Sequence, residues 1–137
     1  MEYYVYLTHQ CNIRCSYCCS RLVLSGEGSD ATREHLEQVA EAISREKGDN
    51  LLMFSGGEPF LRERADRTIT RLAERFPNQG FLVYTNGTLI DEEIAKRLGR
   101  AGNVFPAISV EGFEHQTDRR RGRGVYEQNR RVRELLA

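Results

Sequence analysis

The sequence predicts an α/β fold on a parallel sheet, and three observations carry that prediction. Short β-branched or aromatic runs alternate with stretches whose apolar residues recur at helical spacing. The alternation repeats about every 30 residues, the length of a strand with a right-handed crossover helix. Unusual residues follow each strand: cysteines after the first, Ser55-Gly56-Gly57-Glu58-Pro59 after the second, Thr85-Asn86-Gly87 after the third, and Ser109 with Glu111 at the fourth. Open α/β sheets bind ligands beyond the carboxyl ends of their strands, so function is expected along one rim.

Taken in order, Tyr3 to Leu7 is aromatic and β-branched and too short for a helix, so it reads as strand 1. From Thr32 the residues Leu36, Val39, Ala40 and Ile43 share one helical face, with Thr32 or Asp30 as N-cap and Gly48 as the stop. Leu51 to Phe54 is a continuous apolar run, the pattern of a strand buried on both faces. Ile69, Leu72, Ala73 and Phe76 mark a second helix, and Phe81 to Thr85 a third strand. Asp91, Glu92 and Glu93 put negative charge at the N-terminus of a third helix, whose core face is Ile94, Ala95 and Leu98 and which Gly102 closes. Strand 4 is predicted over Val104 to Val110, then a basic glycine-rich loop, then a last helix from Tyr126 to Leu136.

Composition narrows the functional classes. The 137 residues are one domain's worth of chain, with 39% hydrophobic and 29% charged residues. No apolar run approaches the ~20 residues that cross a bilayer, so no membrane partner is expected. Twenty basic and twenty acidic residues cancel, which removes the field that general nucleic-acid binders rely on. Residues Met1 to Gln10 lack the charged and apolar regions of a signal peptide. A reducing cytoplasmic location is therefore expected for the thiols.

All four cysteines lie together, at Cys11, Cys15, Cys18 and Cys19. A disulfide framework would spread them; this cluster reads as a metal or redox site. Cys11, Cys15 and Cys18 form CxxxCxxC on a loop leaving a strand, so three thiolates can meet at one point. Structural zinc wants four ligands, usually in two separated pairs, and no second pair follows. Three thiolates on a 4Fe-4S cluster leave one iron open to a ligand. A zinc site completed by Cys19 or His9 is the alternative, while His9 and His35 carry no further signal.

The segment CNIRCSYC (Cys11 to Cys18) resembles the cluster motif of the radical SAM superfamily, with the aromatic Tyr17 before the third cysteine. Two more segments stand in register with that family: SGGEP (Ser55 to Pro59) after strand 2 and YTNGTLI (Tyr84 to Ile90) after strand 3. The resemblance runs from Tyr3 to the last helix. It implies a partial parallel (β/α) barrel and assigns Cys11, Cys15 and Cys18 to a 4Fe-4S cluster. S-adenosylmethionine (AdoMet) is the implied cofactor, cleaved reductively to a 5'-deoxyadenosyl radical that takes hydrogen from a substrate. An external one-electron donor, such as a flavodoxin or ferredoxin, is implied as well.

By the same resemblance Gly56, Gly57, Glu58 and Pro59 contact the AdoMet amino group. The residue types suit that: two glycines admit close approach, Glu58 offers a carboxylate to a cation, and Pro59 holds the residue before it extended. Tyr17, Asn86, Ser109 and Glu111 complete the expected cofactor site. The family commonly has Ser-x-Asp-Gly where this chain has Ser109-Val110-Glu111-Gly112, a carboxylate one methylene longer. The arginine and glycine stretch from His115 to Tyr126 looks like that of SPASM and twitch-type members, which modify peptides or build cofactors, so maturation of a peptide or a cofactor is implied, with a peptide substrate as one candidate partner. By composition alone the run Arg119 to Arg123 reads as a solvated loop. Cys19 is expected to be a spare thiol.

A complete family barrel resembles six βα units, whereas this chain supplies four. It is therefore expected to be the N-terminal part of a core domain, truncated or completed by another chain, with strand 1 or strand 4 as an unpaired edge. The competing readings are a non-catalytic iron-sulfur or zinc module and an activase of a glycyl-radical enzyme.

Overall fold

A computed structural model describes residues 1–18 and 30–137; Cys19 lies outside the described residues. Strands β1 (Glu2–Thr8), β2 (Leu51–Gly56), β3 (Gly80–Thr85) and β4 (Val104–Ile108) form one sheet in the order β1-β2-β3-β4, each pair parallel. Helices α1 (Arg33–Ser44), α2 (Ala65–Arg75) and α3 (Glu92–Ala101) connect them, and α4 (Glu114–Arg121) and α5 (Val125–Leu136) follow the last strand. The predicted α/β class and parallel sheet are both present.

Sequence order and spatial order coincide because each crossover returns its strand beside the previous one. The register places Leu52 beside Phe81 and Tyr4 beside Met53, so alternate residues separate into two faces. One face carries Leu7, Leu52, Phe54, Phe81, Val83 and Val104 into a core with Leu36, Ala40, Ile69, Leu72 and Leu98 of the helices. Phe54 and Phe81 stack there with ring centroids 6.2 Å apart. Each such side chain fully buried contributes about 1.5 to 3 kcal/mol. The opposite face is aromatic and exposed at Tyr4, Tyr6, Tyr84 and Phe105.

Caps follow the sequence closely. Thr32 accepts a hydrogen bond from the His35 amide at the start of α1, and Asp91 accepts from the Ile94 amide at the start of α3. Helix α1 ends at Ser44, four residues before Gly48. Gly102 closes α3 in the left-handed region at φ 74°.

Two expectations fail near the end of the sheet. Strand β4 stops at Ile108, not Val110, so Ser109 and Glu111 belong to the loop beyond the pleat. The Ser109 amide still donates to the Thr85 carbonyl (3.0 Å), but the Glu111 amide turns away to the Thr117 hydroxyl (3.1 Å). Residues Glu114 to Arg121 are helical where composition predicts a solvated loop. The helix gives no periodic signal, since Thr117 is its only buried side chain. Specific contacts at its ends hold it instead.

Candidate functional site

The carboxyl ends of the strands meet through backbone contact. As β2 ends, the Gly57 amide donates to the Thr8 carbonyl (2.8 Å) and the Glu58 amide to the Gln10 carbonyl (2.7 Å). A Cβ at Gly57 would stand 2.0 Å from the Gln10 oxygen, and one at Gly56 (φ 111°) 2.4 Å from the Thr8 oxygen. What these glycines admit is thus the chain's own approach to Cys11, in addition to any ligand.

Glu58 is 1% exposed. Its Oε1 accepts from the Thr85 hydroxyl (2.7 Å) and the Phe60 amide (3.2 Å), and its Oε2 accepts from the Asn86 amide (2.7 Å). Burial pushes this carboxyl above its ordinary value, and the three donors pull it back. Pro59 opens a 3-10 turn, Pro59–Leu61, that aims the Phe60 amide at Glu58.

Asn86 extends the network to the thiols. Its Nδ2 donates to Asn12 Oδ1 (2.9 Å) and reaches Cys11 Sγ (3.9 Å), while its Oδ1 accepts from the Thr88 amide and hydroxyl. Asn12 closes the ring by donating to the Thr88 hydroxyl (2.8 Å). Gly87 sits at φ 78° beneath it, with Asn129 Oδ1 3.0 Å from where a Cβ would be. The fully buried Asn129 donates to the Ser109 carbonyl (2.9 Å) and so fixes the end of β4.

The other end of the cysteine loop is gripped from α4. The Tyr17 hydroxyl donates to Glu111, and Arg121 donates to the same carboxylate oxygen through Nε (3.0 Å) and Nη2 (2.7 Å). Burial of the phenol's polar end, then its bond to Glu111, push Tyr17 up to about 12. The Tyr17 bond, with Arg121 and Arg120 beside it, holds Glu111 below its ordinary value. Cys15 is pushed up by burial and by its neighbours Cys11 and Cys18, against the pull of Arg121. None of the three thiols is in a disulfide.

These parts line one cleft of about 640 Å³, a size that suits a small-molecule ligand. It gathers Cys11, Cys15, Cys18, Tyr17, Gly56, Gly57, Glu58, Asn86 and Ser109, together with His9, Tyr84 and Arg121. Pro59 and Glu111 are not part of that lining: the Pro59 carbonyl accepts from the Arg62 amide, and Glu111 is bonded to Arg121, which does line the cleft. Among the described residues, no three His, Cys, Asp or Glu side chains are gathered tightly enough to close on a single metal ion.

Sequence reasoning missed Asn12, Thr117 and Asn129. Only Asn129 leaves a trace, as a polar residue in the stripe Val125, Asn129, Val132 that α5 buries.

The model of the radical SAM superfamily matches residues 5–136. Fe-coproporphyrin III synthase of Methanosarcina barkeri is 31% identical over 119 residues, covering 85% of this chain and 28% of that protein. The PqqA peptide cyclase of Granulibacter bethesdensis is 34% identical over 119 residues, 85% of this chain and 30% of its own. Among solved structures, native anSMEcpe with bound AdoMet and Kp18Cys peptide superimposes with a TM-score of 0.81 at 25% identity, covering 98% of this chain and 40% of that one. The chain therefore spans about a third of the length of the proteins it resembles. No described helix is long and apolar enough to cross a membrane.

Proposed function

The chain belongs to the radical SAM superfamily, and on that premise we propose that residues 1–137 form the cluster-bearing N-terminal part of an enzyme core that cleaves AdoMet reductively. The single observation that carries this reading is the meeting, in one cleft, of three free thiols with Gly57 and the buried Glu58.

Cys11, Cys15 and Cys18 would hold a 4Fe-4S cluster. The donor set fits it: three free thiols line one cleft, and Arg121 partly offsets the charge that Cys15 would carry. A cluster takes each thiolate on a different iron, so the three need not close on one ion. When bound, the cluster supplies the electron that splits AdoMet into methionine and a 5'-deoxyadenosyl radical.

Glu58 would receive the AdoMet ammonium. A carboxylate has about four lone-pair sites, and protein donors take three of them here. One acceptor site is left for a ligand, and Glu58 is among the residues that line the cleft. Asn86 and Ser109 offer polar contacts beside it, and Tyr17 walls the side near Cys18. The cleft thus orients the ligand and excludes water from it.

The substrate class we propose is a peptide or a cofactor precursor, by similarity to the peptide cyclase and the porphyrin enzyme. A flavodoxin- or ferredoxin-type donor and a reducing cytoplasm complete the reading.

The test is product analysis under anaerobic conditions. Reduced, cluster-loaded protein should convert AdoMet to 5'-deoxyadenosine and methionine, with Cys15→Ala inactive. Protein that binds both cluster and AdoMet yet forms neither product would overturn the proposal.

A further inference from the structure

The eight residues from Cys11 to Cys18 contain no helix or strand, and one turn bond, from the Cys18 amide to the Cys15 carbonyl (3.3 Å), is their internal support. A loop that must hold three thiols at fixed spacing therefore takes its shape from outside. The Asn86 ring anchors it at Cys11 and Asn12. At the other end Tyr17 stands alone between Ser16 and Cys18, and everything that grips it comes from a segment about a hundred residues later.

That grip has several parts. The Tyr17 hydroxyl and the Arg121 guanidinium share Glu111 Oε1, and Arg120 Nη1 lies 3.4 Å from Oε2. Arg120 also lies over the Tyr17 ring, 4.4 Å from its centroid, with Arg121 at 5.5 Å. The Ser16 amide donates to the Arg120 carbonyl (2.8 Å). The Glu111 and Arg121 side chains are 16% and 13% exposed, so their pair is shielded from the water that weakens surface ion pairs. With both oxygens engaged, Glu111 is poorly placed to bind a ligand directly.

From this geometry we propose that Glu111 is a positioning residue, and that the Glu111–Arg121–Tyr17 clasp sets the Cys15–Cys18 end of the thiol loop. The proposal rests on the cluster reading for its purpose but not for its geometry. It also gives the arginine run a role, since two of its members close the clasp and the backbone of one receives Ser16. Helix α4, featureless by periodicity, exists to carry them.

The experiment uses Glu111→Gln, Tyr17→Phe and the double variant, with two readouts. The first is hydrogen exchange at the Ser16 amide in metal-free protein. Exchange should rise roughly tenfold in each single variant, the effect of one charge-assisted hydrogen bond, and the double should be no faster than the faster single. The second is iron release to a chelator from cluster-loaded protein, which should show the same non-additivity. Exchange at Ser16 unchanged from wild type, or effects that simply multiply, would overturn the clasp. Should the protein take up no iron while exchange behaves as described, the cluster reading fails and the clasp stands. Helicity by circular dichroism, equal in all four proteins, shows that any change is local.

Discussion

At the scale of single residues, the site is built from polar side chains whose partners are other parts of the chain. Glu58 shows why this matters. Glu58→Gln keeps the shape but removes the charge and one acceptor, so it should leave iron uptake intact while weakening AdoMet binding roughly tenfold or more, the worth of a charge-assisted bond in a dry site. Calorimetry with equal affinity for both proteins would refute the ammonium contact. Gly57 tests the backbone instead. A methyl group there would lie 2.0 Å from the Gln10 oxygen, so Gly57→Ala must separate β2 from the thiol loop. It should destabilise the fold by about 1 to 3 kcal/mol, as overpacking does, read from the midpoint of urea unfolding. The motifs that carry these residues were legible in the sequence, but their bonds were not. Nothing in Gly56-Gly57 says that the close neighbour is Thr8 and Gln10, and nothing in Asn12 says that it pairs with Asn86, because such contacts join positions far apart in the chain.

Secondary structure was legible wherever burial made a period. Strands β1 to β3, helices α1 to α3 and α5, and the cap Thr32 follow from apolar spacing and short polar side chains, while Asp91 was read only as negative charge and proves to be a cap. Helix α4 was not, since a helix with one buried residue leaves no stripe to read. Its stop is specific: Asp118 accepts from the Gly124 amide (2.6 Å) and the Tyr126 amide (2.9 Å), joining the end of α4 to the start of α5. These bonds hold Asp118 below its ordinary value of 3.8. A carboxyl depressed on folding contributes stability that is present above the unfolded value and lost as pH falls through the folded one. Asp118→Asn should therefore lower the thermal midpoint at pH 6 and match the wild type at a pH below the folded value. A deficit of equal size at both pH values would show that the charge is not what holds the turn.

At the scale of the molecule, one sheet face is packed under helices and the other shows Tyr4, Tyr6, Tyr84 and Phe105 to solvent, with β1 and β4 as its edges among the described residues. An aromatic face of this kind favours association. The 137-residue chain should sediment with a concentration-dependent coefficient that Tyr4→Lys with Phe105→Lys reduces, whereas a strict monomer at all concentrations would show the face to be innocuous. The edges were expected from the count of four strands, while the separation into a helix-covered and an aromatic face appeared only with the register. That register also brings the four strand ends to one rim, where three thiols meet a buried carboxylate. The most direct test of this arrangement is the electron paramagnetic resonance spectrum of anaerobically reconstituted, reduced protein with and without AdoMet. A 4Fe-4S signal that needs Cys11, Cys15 and Cys18 and changes on adding AdoMet is the predicted result; retained zinc with no iron uptake, or a cluster signal indifferent to AdoMet, would contradict it.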